Sequence, residues 1–71
     1  MRVVLVDQSL RIRHECRVTE DHTQAILWHG ILMNRSKHSS NGYVPAIEFD
    51  GQLFVGDEVD QMPSGRMLAH A

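Results

Sequence analysis

The dipeptide Asp50-Gly51 restricts the fold of this 71-residue chain more than any other short stretch. It lies between two short apolar runs, and a two-residue type I′ turn needs positive φ at both central positions, which Asp-Gly favours. Residues 43 to 55 are therefore predicted to form a β-hairpin. Its cross-strand pairs are, on one side, Ile47 with Phe54 and Phe49 with Gln52, and on the other, Ala46 with Val55 and Glu48 with Leu53.

The first eighteen residues predict a second hairpin. Residues 3 to 6 are a continuous apolar run, typical of a strand buried on both faces at the centre of a sheet. Residues 7 to 9 give a turn signal, and residues 10 to 18 then alternate, which predicts a half-buried strand. The apolar face of that strand contains Leu10, Ile12, Cys16 and Val18, and its polar face contains Arg11, Arg13, Glu15 and Arg17.

A helix is predicted between the two hairpins. Thr19 or Asp21 can cap its start, and residues 39 to 42 are expected to end it as a loop. After the second hairpin, residues 56 to 62 indicate a helical turn, which Pro63 ends. An apolar stripe of the helix is expected to pack against the first side of the Asp50-Gly51 hairpin; it consists of Ala25, Trp28, Ile31 and Leu32, flanked by Leu27.

The order strand, strand, helix, strand, strand predicts an α+β domain with an antiparallel or mixed four-stranded sheet and one helix on one face. This order, with MRVVLVD and LRIRHECRV as an opening hairpin, resembles the first four strands of ubiquitin-like β-grasp domains. Conjugation is not predicted, because the chain ends in Ala-His-Ala and not in a glycine pair. We expect one domain over residues 1 to 63 and a flexible tail over residues 64 to 71.

Composition excludes several classes of protein. The apolar share of 42% and the charged share of 23% are those of a folded domain, and no apolar run is long enough to span a bilayer. The opening residues do not resemble a secretory signal, and the single cysteine, Cys16, excludes an internal disulfide framework. A cytoplasmic protein without membrane partner or cofactor is expected.

Charge is distributed unevenly along the chain. Residues 1 to 37 contain six Lys and Arg against four Asp and Glu, whereas residues 38 to 71 contain one against five. If the fold keeps these groups apart, the molecule is dipolar. The basic candidates for partner binding are Arg11, Arg13 and Arg17, and the acidic candidates are Asp57, Glu58 and Asp60.

The stretch from Val44-Pro45 through Gly56 is similar to the Val-Pro strand and turn of glutaredoxin-like proteins. That resemblance implies a reactive cysteine facing the proline, and Cys16 comes shortly before the helix, whose N-terminus could lower a thiol pKa. However, Thr19 replaces the second cysteine of the usual CxxC pair. Cys16 is also in phase with apolar residues, so we expect a buried, inert thiol.

The histidines and glycines do not form a recognised site. No histidine pair has the spacing of three or four that a helical metal site needs, and no phosphate-binding glycine loop is present. No catalytic, cofactor-binding or metal-binding residue is therefore predicted.

Three functions stay open from the sequence. The favoured one is a non-enzymatic module that binds another protein, or itself as a homodimer, through the open sheet face around Leu53 and Val55 and through the charged surfaces. The second is a nucleic-acid-binding accessory protein that uses the face of Arg11, Arg13 and Arg17. The third is a reduced thioredoxin-like redox protein that works through Cys16.

Overall fold

A computed structural model describes residues 1–36 and 42–63 of the chain. The elements are strands β1 (Arg2–Val6) and β2 (Ile12–Val18), helix α1 (His22–Ser36), strands β3 (Val44–Phe49) and β4 (Gln52–Val55), and a 3₁₀ helix (Gly56–Gln61). The strands form one antiparallel sheet in the order β2-β1-β3-β4. The predicted α+β class is confirmed. The predicted loop at residues 39 to 42 and the tail at 64 to 71 lie wholly or mostly outside the described residues.

The β3–β4 hairpin has the predicted turn and register. Asp50 and Gly51 have φ of 54° and 75°, as a type I′ turn requires. All four predicted cross-strand pairs are present. The short turn therefore fixes which side chains of β3 and β4 face the helix.

The main core lies between the sheet and α1. Each Ile or Phe side chain buried here contributes on the order of 1.5–3 kcal/mol relative to exposure. Its buried residues are Val3, Ala25, Ile47, Phe54, Val59 and Met62, with Met1, Trp28, Leu32 and Phe49 packed around them. The 3₁₀ helix thus contributes to the core through Val59, and the residue after it contributes through Met62.

Helix α1 begins with the predicted cap, and the predicted stripe packs into the core through Ala25, Trp28 and Leu32 but not through all of its members. The Asp21 carboxylate accepts hydrogen bonds from the N–H groups of Thr23 and Gln24, at 2.9 and 3.4 Å. Ile31 and Leu27, expected in the packed stripe, are 40% and 55% exposed. His29 is buried instead, because the contact stripe on α1 passes through Ala25, His29 and Leu32.

Strand β2 also differs from the prediction. All seven of its residues are exposed, so the half-buried face predicted from alternation is wrong. Two register irregularities, opposite Val3/Val4 and Leu5/Val6, each add a residue on the β2 side of the ladder. As a result Ile12, Glu15 and Val18 share one face, and the strict alternation of apolar and charged residues is lost.

Candidate interaction surface

Strand β2 is the edge of the sheet with the largest exposed surface. Among the described strands it pairs with β1 alone, which leaves the backbone groups on its other side to a further strand. Val18 is 62% exposed and Ile12 is 38% exposed. A free edge that also carries two exposed apolar side chains makes β2 a candidate contact surface.

The sheet face turned away from α1, here called the second face, is buried in the middle and exposed at its margins. Val4, Val6 and Ala46 are fully buried, and Leu53 and Val55 pack against them while staying partly exposed. Ile12 and Val18 belong to this face at the β2 edge, since they lie opposite Val6 and Arg2 of β1. Leu53 and Val55 belong to it at the β4 edge. The placement of Leu53 and Val55 away from the helix side is as predicted.

An ion-pair cluster that the sequence reading missed occupies one end of the second face. The Arg2 guanidinium donates to Glu48 at 2.7 Å and to Glu15 at 3.0 Å, and so joins β1 to both neighbouring strands. The hydrogen bond from Arg2 is the main cause that holds the pKa of Glu48 below its usual value. The sequence signal for this cluster was Arg2 itself, an arginine beside the apolar residues of a central strand. The rest of the second face is apolar, so this cluster marks its polar end.

The three predicted arginines lie at the same edge but do not form a row. Arg13 pairs with Asp7 at 3.5 Å, and Arg17 stacks over the Trp28 ring at 5.5 Å on the helix side. Arg11 precedes β2, and its N–H donates to the Asp7 carboxylate at 3.0 Å. This hydrogen bond is the main cause that lowers the pKa of Asp7, to which the charges of Arg13 and Arg11 add. Because of the register irregularities, the three arginines do not form a regular array along one face of β2. They make this edge of the sheet basic.

Cys16 is exposed, which corrects the expectation of a buried thiol. It lies at the β2 irregularity opposite Val3 and Val4, as the extra residue that has no partner on β1. Partial desolvation raises the pKa of its thiol, the opposite of what an activated nucleophile needs. Pro45 lies on β3, beyond the intervening β1, and the Val44–Pro45 bond is trans.

The acidic candidates lie on the element that follows the opposite edge strand and packs against both β4 and β3. Asp57, Glu58 and Asp60 are exposed on the 3₁₀ helix that directly follows β4. Glu58 folds back, and its carboxylate accepts the Val55 N–H at 2.9 Å. The positive φ of Gly56, 59°, lets the chain leave β4 abruptly and place this acidic group beside the edge.

His29 is the one buried polar residue of the described core. It is 6% exposed, and its Nε2 has no hydrogen-bond partner among the described residues. Burial lowers the pKa of its imidazole, opposed by a hydrogen bond to the Pro45 carbonyl and by the charges of Asp60 and Asp57. The lowered pKa favours the neutral ring, so His29 acts as a packing residue with a pH-dependent effect on stability.

Comparison with known proteins adds no relative. No protein-family model, curated protein or solved structure matches the chain, so the resemblance to β-grasp domains is one of element order alone. Among the described residues, no three histidine, cysteine or acidic side chains lie together as a metal site. In the same part of the chain, no helix is long and apolar enough to cross a membrane. The fold and its surfaces are thus the basis for assigning a function.

Proposed function

We propose that this chain is a small, non-enzymatic protein-interaction module that binds its partner through strand β2 and the adjoining margin of the second face. One observation carries this proposal: β2 is the longest strand, yet each of its seven residues is exposed. The side chains of such a strand contribute little burial to the domain's own core. Its free edge and its apolar side chains are what β-strand addition by a partner uses.

The arginines at this edge steer the partner in this proposal. Arg13 and Arg17 already contact Asp7 and Trp28 within the chain, so they are held in place beside the free edge. Exposed charges contribute mainly to the rate and orientation of association. A reduced, cytoplasmic setting fits the proposal, because Cys16 is unpaired and exposed.

Site-specific photocrosslinking tests the proposal. A photoreactive amino acid at position 18 on β2 is compared with the same amino acid at position 24, an exposed residue of α1. In an extract of the protein's own cells, or with purified chain alone, position 18 should give a discrete protein adduct and position 24 should not. Equal adducts from both positions, or none, would refute it. A nucleic-acid adduct at position 18, lost as salt is raised, would instead favour the nucleic-acid function.

A further inference from the structure

We propose that the partner is a second copy of this chain, docked head to tail so that the basic β2 edge of one copy meets the acidic β4 edge of the next. This inference rests on the proposed function, since it uses the same edge strand. It adds the identity of the partner and the second surface that the partner presents.

Charge separation is the first support. Residues 10 to 18, which lead into and form β2, contain three arginines and one carboxylate, whereas residues 52 to 63, which form β4 and the 3₁₀ helix after it, contain three carboxylates and no Lys or Arg. The strand order places β2 and β4 at opposite edges with β1 and β3 between them. Three strand spacings separate the edges by roughly 14 Å, more than the Debye length of about 8 Å at physiological salt. The two groups therefore attract a neighbouring copy more effectively than they neutralise each other.

The free backbone groups of β4 are the second support. In a type I′ hairpin the residues that flank the turn form a hydrogen-bonded pair, so Leu53 and Val55 belong to non-hydrogen-bonded pairs. Their N–H and C=O groups then point away from β3. The Val55 N–H does so, because it reaches the Glu58 carboxylate. Leu53, whose N–H and C=O point the same way, thus presents one donor and one acceptor to a strand from another copy.

The apolar side chains are the third support, independent of charge. Ile12 and Val18 lie on the second face at the β2 edge, and Leu53 and Val55 lie on the same face at the β4 edge. Joining the two edges continues this face from copy to copy. It brings the exposed side chains of β2 beside the partly exposed ones of β4, and so removes apolar surface from water.

Symmetric dimers are disfavoured by the same charges. Pairing β2 with β2 would bring arginines together, and pairing β4 with β4 would bring carboxylates together. A head-to-tail contact is heterologous, so assembly does not have to stop at two copies. Because β4 has only four residues and β2 has two irregularities, the ladder between copies is short. We therefore expect weak, salt-sensitive association.

Charge reversal at each edge provides the test. Arg11→Glu weakens the basic edge and Asp57→Lys weakens the acidic edge. Their matched controls, Arg35→Glu and Glu20→Lys, make the same charge changes at exposed positions at or near the two ends of α1. Circular dichroism and urea unfolding establish that each variant is folded. Sedimentation velocity over a range of protein and salt concentrations then measures the mass-average size.

The wild-type chain and both controls should grow in size with concentration and shrink as salt is raised. Each edge variant alone should associate about tenfold more weakly, the effect of one close charge pair. An equimolar mixture of the two edge variants should associate again, since each contact then joins opposite charges. A wild-type chain that stays monomeric, edge variants that associate like the wild type, or a mixture that does not recover would overturn the inference.

Failure of the inference can be told apart from failure of the proposed function. If the wild-type chain stays monomeric while position 18 still crosslinks to a different protein, only the identity of the partner is wrong. If position 18 gives no adduct above the position 24 control, the proposed function itself fails.

Discussion

Strands β2 and β4 are both edges of one sheet, yet they relate to the core in opposite ways. The four residues of β4 include the buried Phe54 and two partly buried apolar residues, and the following 3₁₀ helix adds Val59 to the core. The seven residues of β2 bury none of their side chains. Strand length therefore does not predict a strand's share of the core, because helix α1 covers only part of the sheet.

The attachment of the two edges differs in a corresponding way. β4 is held by a two-residue turn and by the burial of Phe54 in the main core, whereas β2 is held by its ladder to β1 and by backbone bonds at its end. There the Met1 amine donates to the Thr19 carbonyl at 2.9 Å, and the Thr19 N–H donates to the Met1 carbonyl at 3.0 Å. An edge fixed by backbone bonds can keep its side chains for a partner, which is what the proposed function requires.

The largest expected difference between the two edges appears when one apolar residue is truncated at each of them. Phe54→Ala should lower the free energy of unfolding by about 3–5 kcal/mol, enough to unfold much of a domain this small. Ile12→Ala should lower it by less than about 1 kcal/mol, because Ile12 is exposed. Urea unfolding measures both. Similar losses at the two positions would contradict the difference between the edges.

A pH titration probes the core on the β4 side. Burial lowers the folded-state pKa of His29, so the unfolded chain binds a proton more readily. Stability should be complete above the ordinary histidine pKa of about 6.5 and should fall as pH drops through that value towards the lower folded pKa.

The control variant is His29→Gln, which cannot titrate in this range. The slope of unfolding free energy between pH 7.5 and pH 5 should be smaller in this variant than in the wild type, whatever its absolute stability. The lowered pKa of Glu48 acts in a separate window, where stability is lost as pH falls below the usual glutamate range. Equal slopes between pH 7.5 and pH 5 in the wild type and in His29→Gln would exclude His29 as the origin of the pH dependence.

Substitutions in the two turns that lead to the edges should change the free energy of unfolding in opposite directions. Gly51 has φ of 75°, so Gly51→Ala should cost about 1–2 kcal/mol. Leu10, before β2, has φ of 64° and is exposed, so Leu10→Asn should gain up to about 1 kcal/mol, because asparagine tolerates this conformation better. Thermal unfolding compares the two variants. Destabilisation by both would mean that Leu10 makes contacts that outweigh its backbone strain.

The smallest effect is expected at Cys16. Its thiol is exposed, so Cys16→Ser should change the free energy of unfolding by no more than about 0.5 kcal/mol. Because its pKa is raised, alkylation near neutral pH should be slower than that of an unperturbed thiol and should speed up as pH rises. The rate of reaction with iodoacetamide against pH measures this. A fast, pH-independent reaction near neutral pH would revive the redox alternative.

Local sequence signals were sufficient to predict the helix, the strands and the register of the β3–β4 hairpin. Asp50-Gly51 determines the turn, because its two residues can adopt positive φ, and a two-residue turn leaves one register. The continuous run Val3 to Val6 predicted the central strand, and Asp21 predicted the start of α1. Each of these depends on neighbours a few residues apart, which a sequence displays directly.

Tertiary structure decided which surfaces are buried. The alternation of residues 10 to 18 is genuine in the sequence, but two irregularities in the β1–β2 ladder redistribute its faces, and α1 leaves all seven residues of β2 exposed. The same applies to α1, where the position of the sheet buries His29 and leaves Leu27 and Ile31 exposed. The sequence alone determined the strands, the helix and one hairpin register. Burial, the Arg2 cluster and the separation of charge to opposite edges arise only from long-range packing, because they depend on which strands become neighbours.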